Sequence, residues 1–290
     1  MGVFADTRCL ICQLERNVAT ARKLGTEEQA TAFAKDLMKL LADAPEGVSA
    51  PFFTPGVAAL FHKHYGIGMD RYKPEKQASN AFVMERLEQI REKVNSAPDP
   101  IKAGLQFAIL GNYIDFAGLR GEVSFEMLED MLADALNMEL DEKNYVNLCR
   151  EFETGKKLLY LTDNAGEIGF DRVFAEAIHE KYPHLQITFC VRGGPAANDA
   201  TREDAAEVGI SFPVIDNGNR IAGTQMDQLS REAEEAIKGA DVIIAKGMAN
   251  TETMYGCGYN IYYAFLVKCQ RFVTEFGYPM FTPMLVKERK

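Results

Sequence analysis

The sequence predicts an α/β protein: a parallel-rich, Rossmann-like sheet sandwiched by helices in the C-terminal half, with an N-terminal helical bundle. Three observations carry that prediction. The hydrophobic period is helical from residue 1 to about 150 and changes near Lys156. Beyond that point short apolar, β-rich runs alternate with helix-like segments, the pattern of parallel βαβ units buried on both faces. Polar side chains recur directly behind the apolar runs, where parallel sheets bind ligands. The expected division is therefore a helical part, 1–150, and an α/β part, 151–290.

In the first part, DTRCLICQLERNVATARKLG has apolar positions at three- and four-residue spacing, with Asp6 or Thr7 as N-cap and Gly25 as a stop. TEEQATAFAKDLMKLLADA repeats the pattern behind Thr26, with acidic residues in its first turn. Pro45, Gly47, Pro51, Pro55 and Gly56 punctuate the chain before PGVAALFHKHYG, and Gly25, Gly56 and Gly66 read as helix ends. NAFVMERLEQIREKVNSA, DPIKAGLQFAILGNYIDFA and SFEMLEDMLADAL complete a bundle with short connections. The junction, residues 138–156, reads as helical.

In the second part KLLYLTDN, QITFCVRG, SFPVID and ADVIIAKG read as strands, and IYYAFLVKC as a further one. IGFDRVFAEAIHEKY, NDATREDAAEVG and TQMDQLSREAEEAIKG read as the helices between them.

Composition narrows the function classes. The chain has 290 residues and a net charge of −10, which disfavours nucleic acid and anionic membranes as partners. Its longest apolar stretches are strand-length, so no transmembrane helix is expected. MGVFADTRCLICQ lacks the basic and apolar regions of a secretory leader, and Asp6 breaks the myristoylation pattern. Six cysteines are spread over positions 9, 12, 149, 190, 257 and 269, too sparse for a disulfide framework. Reduced thiols and a cytoplasmic location follow as expectations. Oligomeric state stays open.

The most informative pattern lies behind the strands. Asp163 and Asn164 follow KLLYLT; Arg192, Gly193 and Gly194, then Asn198 and Asp199, follow QITFCV; Lys246, Gly247 and Asn250 follow ADVIIA. Asp163, Asn164 and Asp199 offer hard oxygen ligands suited to Mg²⁺ or Mn²⁺. Such an ion polarises a phosphoryl oxygen, and Lys246 and Arg192 are the residue types that neutralise phosphate charge. Gly166 and Gly193–Gly194 allow backbone N–H groups to approach an anion. Taken singly, Asp and Asn behind strands are ordinary caps and turns, and Asp216–Asn217–Gly218 is read as one. Their convergence on one sheet edge favours a site.

LTDNAGEIGFD, VRGGPAANDAT and AKGMANTE together resemble the metal-dependent damage-control phosphatase family, formerly a domain of unknown function. GNYIDFA, in the helical part, is similar to a further family segment, and CLIC to the N-terminal C-x-x-C of prokaryotic members. The resemblance implies a metal-dependent phosphomonoester hydrolase acting on sugar phosphates or damaged phosphometabolites. It implies metal ligands at Asp163, Asn164 and Asp199 and a phosphate contact from Lys246, with Asn250 and Glu167 supporting the site. It also implies phosphate binding by Arg192, and Asn112 and Asp115 reaching the pocket from the helical part. Mn²⁺, Co²⁺, Ni²⁺ or Mg²⁺ is the implied cofactor, and water and Asp163 both stay open as the nucleophile.

Other constellations are weaker. Cys9 and Cys12 share a helix face, and a quiet pair is favoured over zinc because no second C-x-x-C exists. His62 and His64, two apart, do not share a helix face. No G-x-G-x-x-G, P-loop or G-x-S-x-G occurs. A haloacid-dehalogenase-like phosphatase wants a second Asp where this chain has Ala165. A non-catalytic metal or phosphometabolite binder, or a thiol-redox protein built on Cys9 and Cys12, are the remaining rivals.

Overall fold

The computed structural model describes residues 3–114, 130 and 132–288. Five helices come first: α1 (Thr7–Leu24), α2 (Glu27–Ala42), α3 (Thr54–Tyr65), α4 (Lys73–Ser96) and α5 (Pro100–Gly111). α6 (Glu142–Thr154) spans the junction. Then come β1 (Lys157–Leu161), α7 (Glu167–Lys181), β2 (Gln186–Val191), α8 (Arg202–Glu207), β3 (Val214–Asp216) and α9 (Arg231–Gly239). The chain closes with β4 (Val242–Lys246), α10 (Gly247–Met254), β5 (Ile261–Leu266), α11 (Gln270–Phe276) and β6 (Pro283–Lys287).

Local chemistry sets the helix starts. The Asp6 carboxylate accepts from the Arg8 and Cys9 amides and caps α1. Thr26 and Gln29 form a capping box on α2, satisfying two otherwise unpaired N–H groups. Gly66 ends α3 in the left-handed conformation. Gly56, in contrast, does not end a helix. It lies inside α3, where a Cβ would come within 2.9 Å of the Leu40 methyls, so its missing side chain lets α2 and α3 close on each other. Most of SFEMLEDMLADAL lies outside the described residues.

The sheet order is β3-β2-β1-β4-β5-β6, parallel from β3 through β5, with β6 antiparallel at the edge. Side chains alternate through β1: Leu158 and Tyr160 enter one core cluster, Leu159 and Leu161 the other. The first cluster joins the sheet to α4, α5, α6 and α7 through Leu87, Phe107, Phe152 and Phe174. Gly104 and Gly111 bring α5 against Phe174 and Phe170 of α7, where a Cβ would lie 2.9 Å and 2.6 Å from the rings. The first three helices keep a separate cluster around Phe33, Leu37 and Phe61. No helix among the described residues is long and apolar enough to cross a membrane.

The strand order reverses between β1 and β4: β2 and β3 lie on one side, β5 and β6 on the other. Parallel sheets open a crevice at such a switch point, beyond the carboxyl ends of the strands. Thr162 and then Asp163–Asn164 follow β1, and Gly247 follows β4.

Candidate active site

Two loops meet at the switch point. The loop after β1 carries Asp163 and Asn164; the loop after β2 carries Asn198 and Asp199. The Ala200 amide donates to the Asp163 carbonyl at 2.7 Å, the Ala165 amide donates to the Asn198 carbonyl at 2.9 Å, and Asn164 and Asp199 form an isolated antiparallel bridge. This stitching brings Asp163, Asn164 and Asp199 together, and all three are buried.

Gly166 and Gly247 shape the walls. Gly166 has φ +77°, a region that favours glycine, and turns the chain into α7. Gly247 has φ +75°, and a Cβ there would lie 1.9 Å from Asp163 Oδ2. The backbone behind β4 thus touches the Asp163 carboxylate, a contact only glycine permits.

Amides hold the carboxylates. Asn112, at the end of α5, donates through Nδ2 to Asp163 Oδ2 at 3.0 Å and Glu167 Oε2 at 2.9 Å. Its Oδ1 accepts from the Leu266 amide at 3.2 Å, tying α5 to β5. Asn164 Nδ2 reaches the same two carboxylate oxygens, at 2.8 Å each. With its nitrogen so directed, Asn164 turns Oδ1 toward Asn198, which donates at 2.8 Å. A carbonyl oxygen keeps a second lone pair beyond one such bond.

The two cations occupy places the sequence did not reveal. Lys246 Nζ donates to Ala108 O at 2.7 Å and Glu167 Oε1 at 2.6 Å, and lies 3.0 Å from Asp171 Oδ1. Its three N–H groups meet three acceptors, and the side chain is fully buried. Burial works against its charge, but Asp171 and Glu167 outweigh it and hold the ammonium pKa above the ordinary lysine value. Arg192 is buried too: Nε pairs with Asp199 Oδ2 at 2.6 Å, and Nη2 donates to Thr162 O at 3.0 Å and Asn250 Oδ1 at 3.3 Å. Asn250 donates to Thr162 O and Lys246 O and accepts from Thr224 Oγ1. The family resemblance assigns Lys246 and Arg192 to phosphate and Asn250 to support of the site. In this arrangement these side chains, Arg192 Nη1 apart, spend their polar atoms on holding carboxylates and strand ends, because burial leaves protein groups as their partners.

Glu167 bridges the cation and the amides, with one oxygen on Lys246 and the other on Asn112 and Asn164. Asp115 lies outside the described residues. Asp171 was missed from the sequence, although it follows Glu167 by four residues on a helix and so shares its face. Asn80 of α4 was missed as well. Its Oδ1 accepts from the Gly166 amide at 2.6 Å and its Nδ2 donates to Asp204 and Glu207, a long-range role with no local signal.

Asn217 braces a turn, accepting from the Gly193 and Asn219 amides, as the ordinary-turn reading expects. Cys9 and Cys12 carry free thiols near the start of α1, and burial pushes the Cys9 thiol up. His64 pairs with Asp36 at 2.8 Å on the α2–α3 surface, away from the sheet. Among the described residues no three His, Cys, Asp or Glu side chains converge as a metal site. The candidate set here is two carboxylates and one amide oxygen.

That donor set suits a hard divalent cation. The charge balance agrees. Asp163, Glu167, Asp171 and Asp199 are four buried carboxylates; Lys246 and Arg192 are two buried cations. Counted ionised, which for Asp171 holds above about pH 7, they leave an excess of two negative charges in a low-dielectric interior, which a divalent ion neutralises.

Comparison with known proteins identifies relatives of the whole chain. A family profile described as the damage-control phosphatase ARMT1-like domain matches residues 5–281. A protein of Archaeoglobus fulgidus named damage-control phosphatase is 32% identical over 280 residues, 93% of this chain and 94% of its own. An uncharacterized protein of Methanocaldococcus jannaschii, MJ0202, is 31% identical over 290 residues, covering 96% and 94%. Damage-control phosphatase PH1575 of Pyrococcus horikoshii is 37% identical over 179 residues, 60% of this chain and 61% of its own. The crystal structure of that DUF89 family protein superposes with a TM-score of 0.82 at 27% identity, covering 98% of this chain and 99% of the other.

Proposed function

The chain belongs to the damage-control phosphatase family with an ARMT1-like domain, and from that premise we propose that this phosphatase hydrolyses small phosphorylated metabolites, damaged ones included, at the β1/β4 switch point with a divalent metal ion. Asp163, Asn164 and Asp199 would hold the ion. When bound, it supplies Lewis acidity toward a phosphoryl oxygen. Mn²⁺, Co²⁺, Ni²⁺ and Mg²⁺ all accept such hard oxygen donors.

The chain's own residues do the rest. Asn112 and Asn164 orient the Asp163 carboxylate from one side, and Gly247 walls it from another. Arg192 carries Asp199 and joins it to the ends of β1 and α10. Glu167, fixed by Lys246, keeps both amides turned toward Asp163. In this reading the helical part, 1–150, supplies Asn112 and Asp115 to the metal- and phosphate-binding part, 151–290. We extend the reading to a cytoplasmic enzyme without nucleic acid or membrane partners.

One observation carries the proposal: backbone hydrogen bonds stitch the loops after β1 and β2 to each other, and the two carboxylates and one amide that these loops carry are buried. The test is hydrolysis of p-nitrophenyl phosphate with and without Mn²⁺, Co²⁺ or Ni²⁺. Metal-dependent turnover is expected, and Asp163→Ala is expected to abolish it while the far-UV circular dichroism stays native. Full activity in that variant refutes the assignment. Metal binding without turnover in the wild type favours the non-catalytic binder.

A further inference from the structure

We propose that Asp171 is a positioning residue for this hydrolysis: with Lys246 it holds Glu167 so that Glu167 Oε2 keeps the Asn112 and Asn164 amides against Asp163. The inference rests on the phosphatase reading of the site.

Glu167 and Asp171 stand four residues apart on α7, both completely buried. Like charges at that spacing repel, and burial magnifies the repulsion. Lys246, arriving from β4, lies between them, 2.6 Å from Glu167 Oε1 and 3.0 Å from Asp171 Oδ1. Its third contact, to Ala108 O of α5 at 2.7 Å, leaves the ammonium no donor to spare. Lys246 is therefore held at three points, and Asp171 is one of them. If Asp171 loses its charge, the ammonium loses an anionic anchor and Glu167 its fixed partner. The displacement passes through Glu167 Oε2 to two amides, and through those to Asp163 Oδ2.

Asp171 is not bonded to the proposed metal ligands, so it acts through Glu167. The titratable groups facing it are Tyr160 from β1, Lys246 from β4 and Glu167 from its own helix; α5 contributes the Ala108 carbonyl. Tyr160 Oη donates to Asp171 Oδ1 at 2.8 Å, while Oδ2 is buried without a hydrogen-bond partner. The Asp171 charge thus rests on Lys246 and Tyr160. Burial pushes its carboxyl up to about 7, against the opposing pull of Lys246. The anchor is then present above that pH and is lost by protonation below it.

The test uses the full-length chain, p-nitrophenyl phosphate and saturating Mn²⁺. Wild-type kcat is expected to fall on the acid side with a limb near pH 7. Asp171→Asn is expected to lower kcat roughly 10- to 100-fold, with KM changed less than about twofold, and to remove that limb. Tyr160→Phe deletes a donor that stabilises the ionised form, so its limb is expected to move to higher pH. A purely structural role predicts no such displacement. Wild-type kcat and pH profile in Asp171→Asn overturn the proposal; should that variant fail to fold, an unmoved limb in Tyr160→Phe overturns it. An inactive wild type overturns the phosphatase reading and this proposal together, whereas an active wild type with an unchanged Asp171→Asn overturns this one alone.

Discussion

Gly247 concentrates the residue-scale logic of the site. An L-residue at φ +75° is strained by roughly 1–2 kcal/mol. Space is the larger problem, because an added methyl would sit 1.9 Å from Asp163 Oδ2 and 2.2 Å from Asp163 Cγ. Gly247→Ala is therefore expected to push Asp163 off its amide donors. Displacement by about 1 Å lowers turnover on the order of 100-fold, measurable on p-nitrophenyl phosphate, and urea denaturation should show a loss of a few kcal/mol. Wild-type kcat in this variant would contradict the close contact. Residue identity singled out Asp163, Asn164 and Asp199 in sequence, and their burial on two adjoining loops follows from the fold. The hydrogen-bond partners of Lys246 and Arg192 were not legible. A cation behind a strand reads as a phosphate ligand; its burial and the protein acceptors it meets are properties of the fold.

At the scale of elements, α4 is the brace. Asn80 receives the Gly166 amide and donates to Asp204 and Glu207, while Lys76 pairs with the buried Asp204 at 2.6 Å. One turn of α4 thus grips both the start of α7 and α8, the two helices that follow the ligand loops. Asn80→Ala is expected to strand the buried Gly166 N–H. The loss is about 1–3 kcal/mol in urea denaturation, accompanied by lower kcat. A stability loss with unchanged kcat would separate α4 from the site. Strand positions were legible from apolar runs, but lengths were not. SFPVID yields only Val214–Asp216, since Pro213 has no N–H for the ladder. NDATREDAAEVG yields a helix only from Arg202, because Asn198 to Ala200 are bound into the β1 loop. β6, antiparallel at the edge, carried no signal of its pairing partner.

For the whole molecule, strand order decides where the chemistry lies, and order is invisible in a single sequence. Only when β1 and β4 are neighbours do Asp163 and Gly247 touch and does Lys246 reach α7. The same arrangement gathers four buried carboxylates around two cations. Buried unpaired charge destabilises the metal-free fold, and a ligand that neutralises it binds the native state alone. Adding Mn²⁺ to chelator-treated protein is therefore expected to raise the melting temperature. At a free concentration about 100 times Kd the stabilisation is about 2.7 kcal/mol, or about 5 °C for a chain of this size. Asp199→Asn removes one ligand charge and leaves Arg192 without its carboxylate partner. Its melting temperature without metal should fall, and most of the metal-dependent rise should disappear. Differential scanning calorimetry with Mn²⁺, Co²⁺, Ni²⁺ and Mg²⁺ in turn reads both effects. An equal rise in wild type and Asp199→Asn would place the ion elsewhere, and no rise with any of the four would remove the metal from the site.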